Sequence, residues 1–281
     1  MKVLSYIQGG SSTPIIVQHK NQKLLVKLSG GLSGQYAAIS EWFGNRLGQL
    51  IGVNTRQPKW IELNSSLNYE SIYIEVRDLI DKSLDINICF EYLDNIHPLT
   101  HSDLSTLNLE NYSYAYLLDV LMINIDRTKQ NLNLISSHGG TIIISDFDSS
   151  LFFNELLNGS MLTKDTRILQ TLKSNPFYQP IDKATLQLFV EKVNRIYFDE
   201  VLDEIPSILL SNNDKQTILN KINQKKEIDW DLPEMLKNID NAKLESDSER
   251  DIRIKNNREK LEQLVRSTND QSRHPAKERL S

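Results

Sequence analysis

Hydrophobic residues in the first part of the chain mostly follow the short-range pattern of β-strands. Two apolar runs within residues 15–28 are joined by the polar residues 20–22, which predicts a pair of adjacent strands. Further strands are predicted at residues 58–63 and 71–76. Residues 35–51 differ, because their apolar residues recur at near-helical spacing and a glycine follows as a helix stop. The pattern therefore predicts a β-rich region with one prominent helix.

The pattern changes to helical spacing from about residue 95 onward. Residues 116–125 are apolar on nearly every side, as expected of a buried helix or strand. Residues 184–197 have the clearest helical periodicity. Further helices are predicted at residues 199–210, 214–224 and 233–239. The last stretch, residues 241–281, mixes charges of both signs with few apolar residues, and its end is predicted to be disordered.

These patterns predict an α+β chain in three parts. Residues 1–93 form an N-terminal lobe, residues 94–240 form a mainly helical C-terminal lobe, and residues 241–281 form a charged, partly disordered extension. The composition provides enough apolar material for one large globular domain or for two lobes, since 39% of the 281 residues are hydrophobic and 25% are charged.

Charge and cysteine content narrow the class of protein. The formal charge of −5 argues against a dedicated nucleic-acid-binding protein, which would normally present a basic surface. Cys89 is the only cysteine, so an internal disulfide is excluded, and this residue is predicted to be a small buried hydrophobe. No apolar run is long enough to span a membrane and the N-terminal residues do not form a secretory signal, so a cytoplasmic location is expected.

Three polar residues after the apolar segment have the spacing of a phosphotransferase site. Asp126 and Asn131 are followed by two strand-like runs that lead to Asp146, and these runs predict a hairpin that brings Asp146 near Asn131. A kinase needs one carboxylate to orient the attacking hydroxyl, and an amide with a second carboxylate to hold Mg²⁺ against the nucleotide phosphates. The spacing therefore predicts Asp126 as the catalytic base, with Asn131 and Asp146 as metal ligands. Ordinary turn residues and ion pairs are the alternative interpretation.

The N-terminal part offers candidates for nucleotide binding. Gly10, Ser11 and Ser12 precede the first strand, where glycine lets backbone N–H groups approach phosphate oxygens; a flexible turn is the alternative. Protein kinases place a strand lysine on the phosphates and hold it with a glutamate from the next helix, so Lys27 and Glu41 are predicted to form an ion pair. An edge-strand lysine and a solvent-facing glutamate are the alternatives. The chain lacks Walker A and Gly-x-Gly-x-x-Gly sequences, which excludes P-loop and Rossmann proteins.

The sequence resembles the HipA-like kinases, in particular the short form without the extra N-terminal subdomain of the HipA toxins. The resemblance rests on GGSSTPIIV, LLVKLSG, SEWFGNRLGQLIGV, NIDRTKQNLNLI and TIIISDFDSS, which lie within residues 9–151. It implies a bilobal, atypical protein-kinase-like fold of the α+β class. It also implies ATP and Mg²⁺ as cofactors and transfer of the γ-phosphate to Ser or Thr of a protein.

The resemblance also implies roles for individual residues. It gives Asp126, Asn131, Asp146 and Lys27 the roles described above, and it adds a hinge that contacts adenine, formed by Glu91, Tyr92 and Leu93. Ser11 and Ser12 lie where HipA-like kinases are phosphorylated on their own phosphate-binding loop. Thr128 stands where the HipA toxins have a histidine, which argues against the toxin branch but leaves the base and the metal ligands in place.

Several partners and activities stay open at this stage. The resemblance implies a protein substrate such as an aminoacyl-tRNA synthetase or another translation component, and an antitoxin-like regulator from a toxin–antitoxin system. No membrane or direct nucleic-acid partner is predicted. A small-molecule or lipid phosphotransferase would use the same three catalytic residues, and a pseudokinase that senses nucleotide is a further alternative.

Overall fold

The structure, a computed structural model, describes residues 1–8, 13–31, 36–69, 73–137, 140–158 and 162–244. Its N-terminal region is an antiparallel five-stranded sheet in the order β1-β2-β3-β5-β4. The five strands are β1 (Lys2–Tyr6), β2 (Ile15–His19), β3 (Gln22–Lys27), β4 (Pro58–Leu63) and β5 (Asp85–Glu91). The predicted strand pair within residues 15–28 and the predicted strand at residues 58–63 are thus confirmed.

The alternation of side chains along β3 determines on which face of the sheet Lys27 lies. Successive side chains of a strand lie on opposite faces of the sheet. Leu24 and Val26 enter the apolar core that the sheet shares with the helix α2 (Ile74–Asp81). Lys27 therefore faces the other side, where the helix α1 (Ala37–Ile51) lies. Gly52 ends α1 in the left-handed conformation, as the sequence predicts.

The strand predicted at residues 71–76 is wrong. Residues 71 and 72 lie outside the described part of the chain, and α2 begins at Ile74. Val76 and Ile80 are buried one helical turn apart, whereas Ile74 is 69% exposed. The alternation of polar and apolar residues over 71–76 fits a strand, but the apolar pair at a spacing of four matches the helix that packs on the sheet.

The C-terminal region combines a small sheet with helices. A three-stranded sheet contains β6 (His97–Pro98), β7 (Leu134–Ser136) and β8 (Ile142–Ile144), and Leu134 pairs with Ile144 in the predicted hairpin. The described helices are α3 (Ser113–Met122), α4 (Phe152–Asn158), α5 (Thr166–Lys173), α6 (Lys183–Asn194), α7 (Phe198–Asp203), α8 (Asn212–Glu227) and α9 (Leu232–Asn241). Most of the apolar segment at residues 116–125 lies in α3, which is buried as predicted.

Two predicted helices are shorter in the structure. α6 ends at Asn194, so Tyr197 lies beyond it and is 72% exposed. α7 ends at Asp203, well before the predicted end at residue 210, and Pro206 cannot continue a helix because it lacks the backbone N–H. The helices predicted at residues 214–224 and 233–239 are confirmed within the longer α8 and α9.

The sheet, the hairpin and the helices belong to one compact unit. This unit spans Met1–Ala242, and Lys243–Ser281 is a second unit. Most of the predicted charged extension lies outside the described residues. The predicted lobe boundary at residues 93 and 94 falls between β5 and β6. Among the described helices, none combines the length and apolar character that a membrane crossing requires.

Candidate active site

A buried lysine surrounded by three carboxylates forms the centre of the site. Lys27 Nζ lies 2.6 Å from Asp146 Oδ1, 3.1 Å from a carboxylate oxygen of Glu41 and 3.2 Å from one of Asp148. Both Lys27 and Glu41 are buried. The ion pair predicted between these two residues is therefore present, and Asp146 joins it from the end of the hairpin.

Glu41 connects α1 to the segment that follows the hairpin. Glu41 Oε2 accepts a hydrogen bond of 2.6 Å from the backbone N–H of Phe147. Asn45, one helical turn later, donates its side-chain amide to the carbonyl and to Oε1 of Glu41. A Cβ atom added to Gly44 would lie 2.5 Å from the Phe147 ring, so only glycine allows α1 to approach this closely.

The charges in this cluster do not balance. One lysine faces three carboxyl groups, so full ionisation would leave two negative charges uncompensated among these four side chains. Burial alone would lower the pKa of Lys27, but Glu41, Asp146 and Asp148 raise it well above its usual value. Burial raises the pKa of Glu41 and of Asp148. Burial also opposes ionisation of Asp146, but contact with Lys27 lowers its pKa overall.

The same carboxylates can serve a divalent cation. Oxygen atoms of Glu41, Asp146 and Asp148 lie within 4.8 Å of one another. Mg²⁺ binds through oxygen ligands, usually one or two carboxylates together with substrate phosphates, and its charge would offset the two uncompensated negative charges. The donor set therefore fits Mg²⁺. Sequence reasoning did not select Asp148, although its position two residues after Asp146 was the available signal.

The predicted catalytic base lies in a loop that holds it by two amides. Asp126 Oδ2 accepts hydrogen bonds from Asn131 Nδ2 at 2.8 Å and from Asn133 Nδ2 at 3.0 Å. Asn131 Nδ2 also lies 3.3 Å from the backbone oxygen of Asp126. Since the nitrogen of this amide is directed to Asp126, the carbonyl oxygen Oδ1 of Asn131 is the atom that can bind a cation. Sequence reasoning did not select Asn133.

A buried arginine holds the Asp126 loop in place from the core side. Arg127 is fully buried, and its Nε donates to Asp119 Oδ2 at 2.7 Å. Its Nη1 donates to three backbone carbonyl groups, those of Leu132, Asn133 and Ser145. Sequence reasoning missed this pair, although an aspartate inside the apolar segment of residues 116–125 signals a buried partner. Arg127 thus fixes the path of the chain on either side of the hairpin.

Further contacts join the Asp126 loop to the Asp146 segment. Asn124 Oδ1 accepts from the backbone N–H of Asp126, and its Nδ2 donates to the backbone oxygen of Asp146, both at 3.4 Å. The carbonyl of Asn133 accepts from the backbone N–H of Ser145 at 3.1 Å and from its hydroxyl at 3.0 Å. The structure therefore brings the two predicted catalytic segments together.

The predicted hinge lies where the chain leaves β5. Glu91 is the last residue of β5, and its carbonyl accepts a hydrogen bond from Arg56 Nη2. The backbone N–H of Tyr92 donates to the backbone carbonyl of Lys23 at 2.9 Å, and Leu93 is half-buried. Contact of these hinge residues with adenine stays a prediction.

The predicted phosphate-binding loop falls in a part of the chain that is not described. Gly10, Ser11 and Ser12 lie outside the described residues. The roles predicted for them, in phosphate binding and in autophosphorylation, therefore stay predictions as well.

Comparison with known proteins identifies the family. The family description that matches residues 1–235 is HipA-like kinase. The chain belongs to the HipA-like kinases. Its structure is similar to the crystal structure of a Helicobacter pylori proinflammatory kinase, CtkA, with a TM-score of 0.51 and 12% sequence identity over 85% of this chain and 96% of that chain. No curated protein matches the chain.

These findings confirm the predicted family and fold class. At 12% identity, the likeness to CtkA shows the fold alone, and the match over residues 1–235 shows that the chain is a HipA-like kinase. This HipA-like kinase has the antiparallel sheet and the helical C-terminal part that the bilobal protein-kinase-like prediction requires.

Proposed function

We propose that this HipA-like kinase uses ATP and Mg²⁺ to phosphorylate Ser or Thr of a protein. One observation carries the proposal. The buried Lys27–Glu41 pair is joined through the N–H of Phe147 to the segment that contains Asp146 and Asp148. A phosphate-binding lysine, its glutamate and a metal-binding aspartate are the parts that protein kinases assemble for phosphoryl transfer.

Each residue has a distinct role in the proposed reaction. Lys27 binds the nucleotide phosphates, while Asn131 and Asp146 hold Mg²⁺. The bound ion supplies positive charge that offsets the charge on the transferred phosphoryl group. Asp126 orients the acceptor hydroxyl and takes its proton, as the hydroxyl oxygen forms a bond to the γ-phosphorus and the bond from that phosphorus to ADP breaks.

The proposed substrate is a protein hydroxyl, and the proposed partners follow from the family. We place the adenine of ATP against Glu91, Tyr92 and Leu93. A translation component such as an aminoacyl-tRNA synthetase is the proposed class of target, with an antitoxin-like protein as regulator. The sequence resemblance to HipA-like kinases supports the proposed adenine contact, target class and regulator.

The test is transfer of label from γ-labelled ATP in cell lysate with Mg²⁺. The wild type is compared with Asp126→Asn, which keeps the size of the side chain but removes the base. Asp182→Asn is the matched control, because Asp182 caps α6 and asparagine is an equally good cap. We expect label on Ser or Thr of protein with the wild type and the control, and loss of label with Asp126→Asn.

Other outcomes would favour the alternatives. Label on soluble metabolites or lipids would identify a small-molecule or lipid phosphotransferase. Calorimetric binding of ATP with Mg²⁺, without transfer to any acceptor, would identify a nucleotide-sensing pseudokinase. Equal transfer by the wild type and Asp126→Asn would contradict the role of Asp126.

A further inference from the structure

Asn133 lies against the proposed catalytic base, although it belongs to none of the predicted sites. Its Nδ2 is 3.0 Å from Asp126 Oδ2, and Asn131 Nδ2 is 2.8 Å from the same oxygen atom. Both amides therefore use one oxygen of the carboxylate, and neither uses Oδ1. Two donors on a single oxygen restrict rotation of the carboxylate, because rotation would break both hydrogen bonds.

The backbone around Asn133 is held firmly. Leu132 and Leu134 are both buried, whereas Asn131 is exposed and Asn133 is half-buried. The carbonyl of Asn133 accepts from the buried Arg127 at 2.8 Å and twice from Ser145. A side chain that begins from such a fixed backbone can hold its partner in one orientation.

Asn133 also has an unusual backbone conformation. Its φ is +51°, in the left-handed region that asparagine tolerates better than most residues other than glycine. Residues kept in this region cluster at functional sites, where the surrounding structure holds them. Here the conformation accompanies a side chain that reaches Asp126.

We propose that Asn133 is a positioning residue for phosphoryl transfer. Together with Asn131 it fixes Asp126 so that Oδ1 faces the acceptor hydroxyl. Oδ1 receives the hydroxyl proton as the hydroxyl oxygen bonds to the γ-phosphorus and the bond from that phosphorus to ADP breaks. The inference rests on the proposed role of Asp126. The two amides then have different roles. Asn131 holds Asp126 and offers its own oxygen to Mg²⁺, whereas Asn133 only holds Asp126. Loss of the Asn133 side chain should therefore slow the chemical step and leave nucleotide binding intact.

The decisive variant is Asn133→Gly. Glycine adopts the left-handed conformation without strain, so this change removes the side chain and keeps the backbone. Misplacement of a catalytic group by about 1 Å can cost on the order of 100-fold in rate, so we expect kcat to fall by about 10- to 100-fold. The KM for ATP, measured by label transfer to lysate protein, should stay within about twofold, since Asn133 is not expected to touch the nucleotide. Asn133→Asp, which places a second carboxylate against Asp126, should lower kcat further.

Asn54→Ala is the matched control. The side-chain amide of Asn54 donates to the carbonyl of Ile142 at 2.6 Å, and its backbone carbonyl accepts from the N–H of Ile144, so Asn54→Ala removes only the first of two bonds to the same hairpin and no contact with Asp126. We expect a lower melting temperature for this variant with an unchanged kcat. A kcat loss in Asn54→Ala equal to that of Asn133→Gly would mean that a disturbed hairpin explains both, which would overturn the inference.

A double-mutant cycle separates this inference from the proposed function. The residual single-turnover rate of Asp126→Asn, measured at high enzyme concentration, should not fall further on adding Asn133→Gly, because both changes act on the same step. Full activity of Asn133→Gly beside an inactive Asp126→Asn would overturn the positioning role and leave the proposed function standing. Full activity of Asp126→Asn would overturn both. A rise in the KM for ATP that matches the fall in kcat would place Asn133 in nucleotide binding and would also overturn the inference.

Discussion

At the scale of single residues, Lys27 is the cation on which the buried cluster depends. Lys27→Met would leave Glu41, Asp146 and Asp148 facing one another without the cation that all three contact. Removal of one partner from a buried ion pair typically costs roughly 3–5 kcal/mol, and we expect a loss of that order in the free energy of unfolding, measured by urea denaturation.

The matched control for Lys27→Met is Lys23→Met. Lys23 forms an exposed pair with Asp94 at 3.2 Å, and exposed pairs contribute about 0–1 kcal/mol. Mg²⁺ should restore part of the stability that Lys27→Met loses, whereas it should stabilise Lys23→Met only as much as it stabilises the wild type. Equal destabilisation of the two variants would contradict the account of the cluster.

The titration of Glu41 and Asp148 predicts how Mg²⁺ binding depends on pH. Burial raises the pKa of both carboxyl groups, so the folded protein retains their protons to a higher pH than the unfolded chain does. Their deprotonation as pH rises lowers the free energy of unfolding, and bound Mg²⁺ would offset that loss. The increase in melting temperature on adding Mg²⁺ should therefore be larger at pH 8 than at pH 5.5. Asp148→Asn should weaken this dependence, and a pH-independent shift in the wild type would contradict it.

At the scale of elements, the close contact between α1 and Phe147 holds the site together. Gly44→Ala would place a Cβ atom 2.5 Å from the ring of Phe147, which is wholly buried. Phe147 must move, which would break the hydrogen bond from its N–H to Glu41. Overpacking of this kind costs about 1–3 kcal/mol, and we expect both the melting temperature and the phosphotransfer rate to fall.

Gly52→Ala is the matched control for Gly44→Ala on the same helix. Gly52 has φ +88°, so alanine there costs about 1–2 kcal/mol of backbone strain, but its nearest described neighbour is Lys192 at 3.6 Å. Its melting temperature should fall while the rate per folded molecule is unchanged. Loss of activity in both variants to the same degree would show that stability alone governs the rate.

The elements also show which features local sequence can predict. The hairpin of β7 and β8 and the Lys27–Glu41 pair follow from strand alternation and from a helix that comes directly after a strand. Arg127 and Asn133 could not be found in this way, because their roles depend on partners such as Asp119 and Asp126 that only the fold places beside them. The wrong prediction of a strand at residues 71–76 also arises from contacts that only the fold provides. The alternating local sequence fits a strand, but packing against the sheet favours a helix there.

At the scale of the whole molecule, the site contains residues from both the sheet region and the helical region. Lys27 lies in the N-terminal sheet and Glu41 in α1, whereas Asp146 and Phe147 follow the hairpin. Fold class and family could be predicted because these motifs are local in sequence. The docking of the two regions could not, since it depends on contacts over more than a hundred residues, such as that between Glu41 and Phe147.

This arrangement predicts that nucleotide binding protects both regions together. With ATP and Mg²⁺, hydrogen exchange should slow in β3 and α1 and also in residues 142–148, because Lys27 and Glu41 connect them. Asp126→Asn should keep this protection, since the role proposed for Asp126 is contact with the acceptor hydroxyl and not with the nucleotide. Asp146→Asn should lose it in both regions at once, because Mg²⁺ would lose its proposed ligand and Lys27 would lose the charge of its nearest partner, at 2.6 Å. Protection confined to the sheet region would mean that the nucleotide does not reach the Asp146 segment, and the metal role of Asp146 would then be wrong.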